Sequence, residues 1–126
     1  MTVLLDTQAF LWWVADDRRL SRRAAEAVAQ SVCVVSVASC WEIGIKASLG
    51  KLTVPRPLDR FFQEQLEVNG FTLLPIALEH TAAVAELPFH HRDPFDRLLA
   101  AQALDEELPV VSSNPVFRRY GVKRIW

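Results

Sequence analysis

Short, continuously apolar runs separated by amphipathic stretches constrain this chain more than any other feature. Thr2 to Leu5, Val32 to Val35, Phe71 to Ile76 and Pro109 to Ser112 each read as a strand. Val32-Cys33-Val34-Val35 is apolar throughout, as strands buried on both faces are. Helix signals fill the intervals. One helix carries Phe10, Leu11, Trp13 and Val14, and Ser21 is placed to cap the Ala-rich RRAAEAVAQ. Ser39-Cys40-Trp41-Glu42 matches a capping box for a helix reaching Leu49, with Gly50 to end it. Leu58, Phe61, Phe62 and Leu66 mark one face of a helix from Leu58 to Val68, closed by Gly70. A short helix from Glu79 to Leu87 stops at Pro88, and Asp93 with Pro94 opens the longest helical stretch. Asn114-Pro115 repeats that cap-plus-proline pattern, and Val122 to Trp126 reads as an edge strand.

Strands alternating with helices predict an α/β fold: a central, mainly parallel sheet of about five strands with helices on both faces. The 126 residues are expected to form one domain, residues 1–126, with 51% hydrophobic residues to build its core. No apolar run approaches the ~18 residues of a membrane span. The start MTVLLDT has neither a basic region nor a small-residue cleavage site, so no export is expected and the chain is read as cytoplasmic. Cys33 and Cys40 form no CxxC and have no His cluster beside them, and both are read as small buried hydrophobes.

Acidic residues stand where the apolar runs stop. Asp6 follows Val3-Leu4-Leu5, Glu42 lies just past Val32 to Val35, and Asp93 and Asp96 open the stretch DPFDRLLAAQAL. Each has an ordinary structural reading: Asp6 as a helix cap, Glu42 as the return partner of Ser39, Asp93 as an N-cap and Asp96 as a first-turn acid favoured by the helix dipole. Together they say more. Ligands of open α/β sheets bind beyond the carboxyl ends of the strands. Asp93 and Asp96 share a helix face and repel unless neutralised. Carboxylates converging there call for a hard divalent cation, Mg²⁺ or Mn²⁺, held by a few acids plus substrate phosphate. Water on such a metal hydrolyses phosphodiesters. Two basic groups, Arg18, Arg19, Arg22 and Arg23, and Arg118, Arg119, Lys123 and Arg124, suit a polyanion despite the net charge of −1. Any one of these arginines alone reads as a solvated charge.

Three segments, VLLDT, SVASCWEIGIKASLGKL and HHRDPFDRLLAAQAL, resemble PIN-domain ribonucleases, specifically the VapC-type toxins of bacterial toxin–antitoxin pairs. The tail NPVFRRYGVKRIW extends the resemblance to nearly the whole chain. It implies a PIN-like fold, a Mg²⁺- or Mn²⁺-dependent endoribonuclease, an RNA substrate, a cognate antitoxin and a homodimer or larger toxin–antitoxin assembly. By matching position, Asp6, Glu42 and Asp96 correspond to the family's acids, with Asp93 an additional one. Asp6 and Asp96 are expected as direct metal ligands, and Glu42 as a ligand of the metal or of a water upon it. Asp93 is expected chiefly as the cap, and Thr7 as a hydroxyl that orients Asp6 or a water. One departure stands out: many relatives carry Thr-x-Asp after the last core strand, and this chain has Ser112-Ser113-Asn114. Asn114 can offer a carbonyl oxygen or position a water, but brings no charge. One well-held metal is therefore expected.

His90 and His91 read as loop residues near phosphate rather than zinc ligands, and His80 as a surface or packing residue. Trp13 is expected in the core beside Phe10, with Trp12 exposed for a protein contact or a base. Lys46 and Lys51 approach phosphate or are simply solvated. The competing function is a PIN-like module that holds RNA or protein without cutting, a reading kept open by Asn114. A phospho-receiver domain is disfavoured because Val32 to Val35 leads into Ser36 rather than an Asp.

Overall fold

A computed structural model describes all residues, Met1 to Trp126. Its five strands are β1 (Thr2–Leu5), β2 (Val32–Ser36), β3 (Thr72–Leu74), β4 (Val110–Val111) and β5 (Arg124–Ile125). Seven helices connect them: α1 (Thr7–Val14), α2 (Arg22–Gln30), α3 (Val37–Ser48), α4 (Leu58–Asn69), α5 (Leu78–Val84), α6 (Pro94–Asp105) and α7 (Val116–Arg119). Every strand pair is parallel, in the order β3-β2-β1-β4-β5. The expected sheet is therefore present, and parallel throughout.

Side-chain alternation in the strands divides the core between the two faces. Val3, Leu5, Cys33, Val35 and Val111 pack with Phe10 of α1, Val28 of α2 and Phe61 of α4. Leu4 and Val110 point the other way and pack with Leu99 and Ala103 of α6 and Phe117 of α7. Helix α3 serves both layers, sending Ile43 to the first and Ala38 to the second. Helices thus cover both faces, which is why the central strand β1 has Val3, Leu4 and Leu5 fully buried.

The caps differ from expectation at one functional point. Ser36, not Ser39, is the N-cap of α3, its hydroxyl accepting from Ala38 N at 3.0 Å. Ser39 lies inside the helix, and its hydroxyl accepts from Thr7 Oγ1 at 2.8 Å. Glu42 is therefore free of the capping-box duty the sequence suggested. Three other caps match: Ser21 accepts from Ala24 N, Gly70 closes α4 in the left-handed region at φ 66°, and Asp93 caps α6 ahead of Pro94; at α7 the N-cap is Pro115 rather than Asn114. The strand read over Phe71 to Ile76 contracts to Thr72–Leu74 at the sheet edge, where it has a neighbour on one side only.

Buried polar side chains tie the second layer together. Gln102 of α6 accepts from the Ser36 hydroxyl through Oε1 and donates through Nε2 to Pro75 O at 3.2 Å. His80 is fully buried rather than superficial. Its Nδ1 accepts from Ala77 N at 2.9 Å, which places the ring proton on Nε2, facing Glu106 at 3.2 Å and Asp105 at 3.3 Å. Arg97, also buried, donates to the carbonyls of Val84, Leu87 and Pro88 and to the Tyr120 hydroxyl. It thereby fixes the segment that leads into His91 and Asp93. No helix is long and apolar enough to cross a membrane.

Candidate active site

Strand order reverses direction at β1, with β2 on one side and β4 on the other. A crevice opens beyond the carboxyl ends of the strands at such a switch point. Asp6 follows β1 there and Ser112 follows β4, in register through the Leu5–Val111 pair. Asp6 is only 6% exposed. It caps α1, Oδ1 accepting from Ala9 N at 2.7 Å, and the Ser112 hydroxyl stands beside it. Burial nevertheless pushes its carboxyl from 3.8 up to about 6, the Ser112 hydroxyl and Ala9 N–H offset part of the rise, and the charges of Asp96 and Glu42 add to it.

Glu42, 7% exposed, reaches the same crevice from α3, with Oε2 accepting from Lys46 Nζ at 2.6 Å. Asp96 arrives from the first turn of α6, its carboxyl raised mainly by burial and further by Asp93 and Glu42. His91 opposes that rise by donating from Nε2 to Asp96 Oδ2 at 2.9 Å. His91 is thus tied to an acid of the site instead of standing free for phosphate. Asp93 spends Oδ1 on Phe95 N at 2.8 Å and Asp96 N at 3.1 Å, the expected N-cap geometry. Ligand atoms of His91, Asp93 and Asp96 all lie within 4.8 Å of one another.

Thr7 donates to Ser39 rather than to Asp6, which leaves its oxygen as an acceptor at the edge of the crevice. Asn114 is oriented by its own helix start: Oδ1 accepts from Val116 N at 3.0 Å, which turns Nδ2 toward Asp96 Oδ2 at 3.4 Å. The carbonyl oxygen is committed to the backbone, so Asn114 presents a donor to the acids. Ser112 Oγ accepts from Asn114 N at 3.0 Å and joins this corner to Asp6.

A divalent cation fits these residues. The donors are carboxylate and hydroxyl oxygens, and the nearly buried Asp6 is desolvated and repelled by two neighbouring acids, a burden that a hard cation removes. Asp93 and Asp96, with His91, form the tight group in this crevice; Asp6 and Glu42 stand further off, near enough for their charges to be felt there.

Surrounding charges and aromatic rings depart from the sequence reading. Arg19 pairs with Asp17 at 2.7 Å and lies over the Trp12 ring, and Arg22 pairs with Glu26 at 3.3 Å. Arg124 donates to Ser112 O and Ser113 O, both at 3.2 Å, bracing the end of β4 beside the crevice. These three arginines have local partners, while Arg18, Arg23, Arg118, Arg119 and Lys123 remain exposed. Trp12 is half-buried against Trp126, with ring centroids 5.8 Å apart, and Trp13 is half-buried with its N–H on Asn69 Oδ1 at 3.0 Å. The exposed tryptophan is Trp41, 61% accessible and edge-on to Phe95 at 5.2 Å.

A carboxylate-lined crevice at the switch point of a parallel α/β sheet defines the class, and the sequence matches it: the PIN domain family model covers residues 3–123. The chain belongs to the PIN domain family. Within that family it is similar to Ribonuclease VapC22 of Mycobacterium tuberculosis, 28% identical over 122 residues that span 94% of this chain and 92% of the relative. Its fold is similar to that of VapBC2 from Rickettsia felis bound to a DNA fragment from their promoter, with TM-score 0.67, 14% identity and 100% of both chains covered. It is also similar in fold to FitAcB from Neisseria gonorrhoeae, with TM-score 0.68 and 18% identity over 98% of this chain and 96% of that one.

Proposed function

We propose that this chain is a metal-dependent endoribonuclease, the toxin of a toxin–antitoxin pair, that hydrolyses RNA phosphodiesters with Mg²⁺ or Mn²⁺. The observation that carries the reading is the convergence of Asp6, Glu42 and Asp96, from three separate elements, on the switch-point crevice, with Asp6 buried and its carboxyl raised to about 6. Kinship with Ribonuclease VapC22 over 94% of the chain supports RNA as the substrate. Asp6 and Asp96 are assigned as direct ligands, and Glu42 as a third acid acting directly or through water. A bound divalent metal would lower the pKa of a coordinated water and offset charge on the phosphate as it is attacked.

The chain's own residues prepare that chemistry. The Ala9 N–H orients the Asp6 carboxylate, with the Ser112 hydroxyl beside it. His91 and Asn114 both donate to Oδ2 of Asp96, leaving its other oxygen without those contacts. Supporting partners of this kind commonly govern ligand orientation and affinity. A protein antitoxin and a homodimer are the partners implied by the family resemblance.

The decisive experiment uses purified protein without antitoxin. RNA should be cut in Mg²⁺ or Mn²⁺, and cutting should disappear with EDTA or in Asp6→Asn; activity that survives Asp6→Asn would sink the mechanism. Asn114, whose oxygen faces the backbone rather than the acids, favours the second reading of a binding module that does not cut. Bound RNA recovered intact after long incubation with Mn²⁺ would establish that alternative.

A further inference from the structure

Lys46 faces the acids from the same helix as Glu42. The two are spaced i, i+4 with the acid first, the favourable order for a helical ion pair. The Glu42 side chain is 9% exposed and that of Lys46 46%, so the carboxylate lies in the crevice and the ammonium at its rim. Asp93 and Asp96 are close enough for their charges to act on the same ammonium. From the β4 side the neighbouring group is again a donor, Asn114 Nδ2 on Asp96.

Two-metal phosphodiesterases stabilise the attacking and leaving oxygens with a pair of cations. Here a second divalent ion would have to displace the ammonium at Glu42 and the amide at Asp96. We propose that Lys46 is the site's built-in second cation: it holds Glu42 while the crevice is empty and transfers its ammonium to the scissile phosphate when RNA enters, beside a single divalent metal. Lysine suits this exchange, being a flexible point charge with three donors, whereas an arginine would fix a carboxylate through a planar fork. The rim position keeps the ammonium within reach of an incoming phosphate, and Glu42 is released to the metal as it leaves. This inference rests on the ribonuclease reading and adds the metal count and the residue that replaces the second ion.

The test compares wild type, Lys46→Met and Lys46→Arg by Mn²⁺ calorimetry and by cleavage of an unstructured RNA oligonucleotide. Wild type should bind one Mn²⁺ per chain. Lys46→Met frees Glu42, so Mn²⁺ should bind on the order of tenfold tighter, while kcat/KM drops roughly 100-fold. Lys46→Arg should restore weaker Mn²⁺ binding and part of the rate. Tighter metal with slower cleavage is a combination that loss of a surface ion pair would not produce. Unchanged Mn²⁺ affinity in Lys46→Met, or cleavage at the wild-type rate, would overturn the proposal, as would two Mn²⁺ per wild-type chain. If wild type cuts no RNA, the ribonuclease reading and the transfer to phosphate fall together. The Mn²⁺ comparison then still decides whether Lys46 competes with metal for Glu42.

Discussion

Replacing Asp6 by Asn should make the metal-free protein more stable, although it removes a central acid of the site. In the folded chain the Asp6 carboxyl titrates near 6 instead of 3.8, because burial penalises its charge and Asp96 and Glu42 repel it. A raised folded pKa has a definite sign. Its favourable contribution is complete below the unfolded value of 3.8 and is lost as pH rises through about 6. The gap corresponds to about 3 kcal/mol of destabilisation at pH 8, from 1.36 kcal/mol per pH unit. Asn keeps the shape and the acceptor for Ala9 N–H, and is as good an N-cap as Asp, so the helix start should survive. Urea unfolding followed by tryptophan fluorescence in EDTA should show Asp6→Asn ahead by about 3 kcal/mol at pH 8, roughly half that at pH 5, and about 0.5 kcal/mol at pH 4. For a domain of this length the pH 8 difference equals a shift in Tm of about 10 °C. Saturating Mn²⁺ should stabilise wild type and narrow the gap. Equal stability of the two proteins at pH 8 in EDTA, or a gap that does not shrink as pH falls, would refute the account of Asp6 as a desolvated, repelled carboxylate.

Three further outcomes follow from the same structure. Asn114→Asp adds a fourth like charge beside Asp96, so it should lower stability in EDTA and tighten Mn²⁺ about tenfold in calorimetry; no gain in affinity would count against the missing-acid explanation. Ser36→Ala removes the α3 N-cap and leaves Gln102 Oε1 buried without its donor, at a combined cost of roughly 2–4 kcal/mol in urea unfolding. Arg97→Met strands three carbonyls and the Tyr120 hydroxyl, and should cost about 3 kcal/mol. Amide exchange should accelerate first across residues 84–92, and a uniform change across the chain would contradict the bracing role.

Local signals carried much of the architecture. Apolar runs located β1 and β2, and Ser21, Gly70 and Asp93 with Pro94 marked helix ends correctly because caps are written in adjacent residues. The capping box at Ser39 failed for an equally local reason. Ser36 offers the same hydroxyl one turn earlier, and only its position directly after β2 decides between them. Lys46 was read only as a lysine near phosphate or in solvent, because spacing alone does not show that its i, i+4 partner Glu42 is buried and the ammonium is not. Gln102 and Arg97 lay inside an apolar helical stretch, where a polar residue signals a buried network but not its partners.

What the sequence determined by itself was the alternation of strands and helices, the acids that end apolar runs, and the lack of charge at Asn114, all properties of residues close together in the chain. Tertiary structure decided the strand order β3-β2-β1-β4-β5, which brings Asp6 beside Ser112 across more than one hundred residues of chain. It decided that His91 supports Asp96, and that the Asn114 oxygen serves Val116 N–H and is therefore turned away from the acids. Hydrogen-bond partners and desolvation depend on which surfaces meet, and no periodicity within a segment records that. The acids could be read from the chain; the burden of charge that Asp6 carries, and the ammonium and amide set against it, exist only once the sheet has formed.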